Sequence, residues 1–240
     1  MAVSAPLLVG AVAGTAVLAV IAGSVAGRIT QPTPATPAGS PAPLVTDAMP
    51  TSSPTSGPLP KKTPVPDPAE AMDPDELSFR RETFQVTKQP HPPATVSLHI
   101  PAGWRLTPQA SSDEVRFTDP AGKRWIRVES GFAVERPPAD SMSILVTNLR
   151  TSQPPENALT ILSRRSGQLS DRDGDGVRNI STLEYTYIPN QSVRYVFVRW
   201  IGFGPAGDAA VEMSVTGLPQ DSKALAEVLA RASSTVERTD

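Results

Sequence analysis

The chain has 240 residues, enough for one medium domain or two small ones, with 22 basic against 24 acidic residues and 5% aromatics. That balance gives no electrostatic footprint for nucleic acid. The lack of cysteine excludes disulfides, Cys-ligated zinc, thiol catalysis and a lipid-modified N-terminal Cys, and only two histidines, His91 and His99, remain as usual bases or ligands.

Ala5 to Gly27 carries no charge and is rich in Ala, Val, Leu and Gly. At about 1.5 Å per residue it is long enough to cross a hydrocarbon core of roughly 30 Å. The favoured reading is an uncleaved transmembrane helix or signal anchor over residues 1–29, holding the protein to the membrane through residues 5–27. A cleaved signal peptide, with a small-x-small site at Ser24-Val25-Ala26, and a buried helix of a soluble fold are the alternatives. Arg28 on the C-terminal flank is a weak vote for the cytoplasm. The segment that follows reads as an extracytoplasmic stalk, so the C-terminal side is expected outside, in a single-pass or else secreted protein. Gly10-x-x-x-Gly14 is a minimal helix-approach motif in a segment where Gly and Ala are simply common.

Residues 30–76 change composition abruptly to Pro, Thr, Ser and Ala, holding 13 of the 27 prolines of the chain. Such a stretch cannot bury enough apolar surface to offset its ordering entropy, so a disordered Pro-rich linker is expected. Dense proline favours extended polyproline II, which could reach on the order of 100 Å.

Patterned sequence runs from Leu77 to the end, one domain over residues 77–240. Thr83 to Val86 reads as a short edge strand. Thr95 to Ile100 alternates, with Val96, Leu98 and Ile100 on one side. Glu114 to Thr118 and Arg124 to Ser130 flank the turn Asp119-Pro120-Ala121-Gly122 and form a hairpin. Pro137-Pro138 introduces a helix over Ala139 to Arg150, with Met142, Leu145, Val146 and Leu149 on one stripe. Ala158 to Arg165 reads as a strand. Ser181 to Tyr187 and Ser192 to Ile201 pair across Pro189-Asn190-Gln191, and Val211 to Thr216 is a further strand. Asp221 or Ser222 caps a final helix to about Ser233, with Leu225, Val228 and Leu229 inward. Strands in hairpin order with one internal and one terminal helix predict the α+β class: an antiparallel β-sheet with helices packed on one face.

Three features together resemble the PsbP/LpqN-like superfamily: the strand ending Pro101-Ala102-Gly103-Trp104, the Asp119-Pro-x-Gly122 hairpin with the apolar strand at Trp125 to Val128, and the Glu184-Tyr-x-Tyr187 strand. The resemblance covers roughly Thr83 to Val236. It implies an actinobacterial extracytoplasmic module on a membrane anchor, with a non-enzymatic binding or assembly role, and it supplies no catalytic residues. The chain departs from the lipoprotein members in lacking a lipobox Cys.

Asp171-Arg-Asp173-Gly-Asp175-Gly176 places carboxylates at the first, third and fifth positions of a calcium loop, with Gly at the sixth. Position twelve is Thr182, and Glu184 falls two residues late. An Asp/Gly turn between strands is the favoured reading, and weak calcium binding through Asp171, Asp173 and Asp175 the alternative. No serine-hydrolase arrangement is visible around His91 or His99. Trp104, Trp125 and Trp200, with Tyr185, Tyr187 and Tyr195, read first as packing and second as a carbohydrate or peptide groove. Gly202-Phe-Gly204-Pro-Ala-Gly207 lies between strands and reads as a loop rather than a phosphate cradle. The expected function is a membrane-anchored, extracytoplasmic, non-enzymatic binding domain for an unknown protein or small ligand. An assembly factor of an envelope complex and a weak calcium-dependent sensing module are the alternatives.

Overall fold

The computed structural model describes residues 60–87, 93–109, 114–132, 136–170 and 176–239. Ala5 to Gly27, the Pro-rich stretch up to 59, His91 and the acidic loop at 171–175 lie outside the described residues. Among the described residues no helix is long and apolar enough to cross a membrane.

The elements run β1 (Phe79–Val86), β2 (Ala94–Pro101), β3 (Arg105–Thr107), β4 (Glu114–Thr118), β5 (Trp125–Ser130), α1 (Pro138–Ser152), β6 (Thr160–Ser170), β7 (Val177–Tyr187), β8 (Arg194–Phe203), β9 (Asp208–Gly217), α2 (Ser222–Ser234) and β10 (Glu237–Thr239). The class is α+β and every strand pairing is antiparallel. The strands form two sheets rather than one: β1-β2-β10, and a seven-stranded sheet in the order β3-β4-β5-β9-β8-β7-β6.

The helices do not share a face, which corrects the expected arrangement. Met142, Val146 and Leu149 of α1 pack with Leu183, Val196, Val198 and Trp200 on one side of the large sheet. Leu225, Val228, Leu229 and Ala232 of α2 pack with Ile126, Val128, Phe197, Ile201, Val211, Met213 and Val215 on the other, together with Val96, Leu98 and Ile100 of the small sheet. The reason lies in β8. Val196, Val198 and Trp200 alternate with Phe197 and Ile201, so the strand is apolar on both faces and needs cover on both. Each such buried side chain contributes roughly 1.5–3 kcal/mol relative to exposure.

α2 approaches β9 closely where Gly217 sits, because a Cβ there would lie 2.9 Å from a Leu225 methyl. Gly122 closes the β4–β5 hairpin at φ +68°, a left-handed conformation that glycine adopts without steric cost. The C-terminal end of α2 is met by cations: Arg199 donates to Ser233 Oγ at 2.6 Å and Arg178 to the Val236 carbonyl at 2.5 Å, which suits the negative end of the helix dipole. Burial lowers the Arg199 pKa to about 10, so it stays charged at neutral pH.

The chain before Leu77, read from composition as linker, makes specific bonds to the domain from Lys62 onward. Lys62 Nζ donates to Asn157 Oδ1 at 2.6 Å, the Val65 amide to the Gln191 carbonyl at 2.8 Å, and Lys123 Nζ to Asp67 Oδ2 at 2.7 Å. The Met72 amide donates to Asp221 Oδ1 at 2.9 Å, and Arg124 Nη2 donates to the Glu70 carbonyl. Lys123 holds the Asp67 carboxyl below its ordinary pKa through that bond. This strap has no hydrophobic period because its order comes from separate bonds to distant residues.

Its anchor is a buried ion pair. Asp221, fully buried, accepts from Arg124 Nε at 2.7 Å and Nη2 at 2.9 Å, and from the Leu218 amide at 3.1 Å. The same carboxylate raises the Arg124 pKa, against the opposing effect of burial. Asp221 precedes α2 as expected, yet its side chain bonds no amide of the helix: it serves the strap and Arg124 instead.

Candidate functional site

Alternation within the β4–β5 hairpin sorts its residues by face. Val115, Phe117, Ile126 and Val128 enter the α2-side core. Glu114, Arg116 and Thr118 therefore face the α1 side together with Trp125, Arg127 and Glu129, since the register pairs Glu114 with Glu129, Arg116 with Arg127 and Thr118 with Trp125. β9 adds Glu212, Ser214 and Thr216 opposite Glu129, Arg127 and Trp125. β3 adds Arg105 opposite Thr118. α1 packs on β7 and β8 and only reaches β9, so the face of β3, β4 and β5 is left uncovered by it.

Arg127 is the centre of this face. Its guanidinium lies 3.0 Å from Glu114, 2.6 Å from Glu129 and 3.0 Å from Glu212, and Nε donates to Ser214 Oγ at 3.2 Å. Burial works against the charge, but Glu129, Glu212 and Glu114 outweigh it and hold the pKa above its ordinary value. Glu212 also accepts from Trp200 Nε1 at 2.8 Å.

Toward the other end of the face, Arg116 and Arg194 stand 5.6 and 5.4 Å from the Trp125 ring centre, within cation–π range. Arg116 approaches Glu114 only at 3.5 Å, and its buried Nε has no hydrogen-bond partner. Arg194 donates to the Lys123 carbonyl at 3.0 Å. Tyr185 and Tyr187 border the site with ring centres 5.9 Å apart. Burial raises both tyrosine pKa values. For Tyr187 the nearby Arg194, Arg116 and Arg127 pull the other way. A hollow of about 360 Å³ lined by Arg105, Thr107, Thr118, Asp119, Pro120 and Gly122 adjoins the Trp125 end.

The six aromatics singled out in the sequence separate. Trp125, Tyr185, Tyr187 and Trp200 lie on the α1 side, with Trp200 sealed beneath α1 and the other three half-buried. Trp104 and Tyr195 belong to the α2-side core, where Tyr195 bonds Glu184. His99 lies on β2 with its amide bonded to Thr235 Oγ1. Asp171, Asp173 and Asp175 lie outside the described residues. Among the described residues no group of three or more His, Asp or Glu is placed to hold a metal ion. Of the glycine-rich segment, Gly202 pairs with Ala209 at the end of β8, and Gly204 to Gly207 form the β8–β9 turn.

Sequence reasoning missed the arginines and carboxylates of this face. The signal was present in Glu114-x-Arg116-x-Thr118 and Trp125-x-Arg127-x-Glu129, whose period of two puts six polar or aromatic residues on one side of a hairpin.

No family model matches the chain, and no curated protein matches it. Among solved structures it is similar to the Ran-binding protein Mog1p of Saccharomyces cerevisiae, at 11% identity over 67% of this chain and 96% of that one, with a TM-score of 0.44. It is also similar to LpqN of Mycobacterium tuberculosis, involved in cell envelope biogenesis, at 14% identity over 72% of this chain and all of that one, with a TM-score of 0.41.

Proposed function

We propose that this chain carries a non-enzymatic binding domain, held outside a membrane by its uncharged N-terminal stretch and Pro-rich linker, and that the partner docks on the α1-side face of β3, β4 and β5. The supporting observation is that a sheet face left open by its helix carries an ordered set of charged and aromatic side chains. Arg127 is fixed by three carboxylates, and Trp125 is flanked by two arginines. Fixing these groups in advance reduces the ordering cost of binding. The composition of residues 5–27 and 30–59 supports the tethered placement.

Site-specific photocrosslinking in the producing cells tests the docking face. The full chain carrying Trp125→p-benzoylphenylalanine should yield a discrete adduct. The same group at Val177, exposed at the start of β7, should not. Equal adducts from both positions, or none from position 125, would contradict the docking face. Surface protease treatment of fractionated cells tests the placement: residues 60–239 should be degraded from outside and the anchor retained in the membrane fraction.

A further inference from the structure

The open face is electrically divided. At one end three carboxylates surround Arg127 and are engaged by it, and Glu212 is held additionally by the Trp200 indole. At the other end Arg105, Arg116 and Arg194 share the face around Trp125. Among the described residues neither Arg105 nor Arg194 forms an ion pair with a carboxylate, and Arg116 forms a marginal one. The Arg116 Nε is a buried donor with no acceptor, which leaves that guanidinium under-satisfied. Glu114 reaches both ends, with one oxygen 3.0 Å from Arg127 and the other 3.5 Å from Arg116, whereas Glu129 and Glu212 are engaged by Arg127.

We infer that this face recognises an acidic protein segment, its side-chain carboxylates seated on Arg116 and Arg194 where they flank Trp125. The inference rests on the docking face proposed above and names the chemistry of its occupant. Guanidinium groups bind carboxylates through charge-assisted, often bidentate bonds. The site borders the hollow lined by Arg105, Thr107, Thr118 and Gly122, so an extended segment entering that hollow would meet Arg105.

Fluorine NMR of the full-length protein labelled with 5-fluorotryptophan tests this, because the three tryptophans give three resonances assignable by Trp→Phe variants. The probe is the acetylated, amidated tripeptide glutamyl-phenylalanyl-glutamate, beside its glutamine counterpart and sodium acetate. The acidic peptide should shift the Trp125 resonance saturably and leave Trp104 and Trp200 in place. Its affinity should fall at least about tenfold for the glutamine peptide, for Arg116→Gln/Arg194→Gln, and on raising salt. Acetate should bind far more weakly than the peptide. Arg105→Gln, at an exposed position, should weaken binding by a smaller factor and provides a test if the double variant fails to fold. No saturable shift, equal binding of the two peptides, or affinity unchanged in the arginine variants would overturn the inference. A crosslinked adduct at position 125 without carboxylate preference would leave the docking face standing and remove only the acidic occupant.

Discussion

On β8, Phe197 and Ile201 face α2 while Val196, Val198 and Trp200 face α1, and across the rest of the sheet the two sides diverge. On the α2 side Phe117, Ile126, Val128, Val211, Met213 and Val215 are all sealed, by α2 and by the second sheet. On the α1 side of the same strands Ser214 and Thr216 are buried, but Arg116, Trp125, Arg127, Glu129 and Glu212 are only half-buried. Both sides alternate with equal regularity, so the difference is not one of secondary structure. It lies in what each face has to pack against. An apolar face gains by being covered, whereas covering a charged face costs desolvation that a closing helix cannot repay. The α2 side stores stability, and the α1 side beyond α1 keeps ordered polar groups within reach of another molecule.

Substitutions that break the first side should show in stability. The largest effect is expected from Asp221→Ala, which leaves Arg124 buried without its main partner and removes the acceptor of the Met72 and Leu218 amides. A loss of about 3–5 kcal/mol in urea unfolding is predicted. Starting the chain at Leu77 instead of Pro60 should cost about 2–3 kcal/mol, through loss of the bonds to Asp221, Arg124 and Lys123. An unchanged urea midpoint would show that the strap does not belong to the folding unit.

A smaller effect should appear at alkaline pH. Burial and the bond to Glu184 raise the Tyr195 pKa to about 12, above the ordinary phenol value. The unfolded chain then loses this proton first, so stability is intact below about pH 10 and declines as pH rises toward about 12. Tyr195→Phe should flatten that decline, and a slope identical to wild type would remove Tyr195 as its source.

Much of this architecture is legible in the residues. The Asp119 to Gly122 turn with its flanking alternation marks β4 and β5, and the stripe of Met142, Val146 and Leu149 marks α1. Which face each helix covers is not legible, because β8 offers apolar side chains in both directions. β3 and β10 are three residues each, too short for a period to register. The strap has no pattern at all, since Lys62, Asp67 and Met72 bond residues far along the chain. For the site, Glu114, Arg127 and Glu129 come together within one hairpin and could have been placed by its register. Glu212 and Arg194 arrive only when β9 and β8 align beside β5, a pairing no local signal specifies.

The contrast between the faces is tested most directly by comparing urea midpoints of Trp125→Ala and Trp200→Ala. Trp200 is sealed beneath α1 and bonded to Glu212, and its loss should cost about 3–5 kcal/mol. Trp125 sits on the open face, and its loss should cost about 1 kcal/mol while leaving the native fold intact. Equal and large losses for the two would make Trp125 a core residue and contradict a face kept open for recognition.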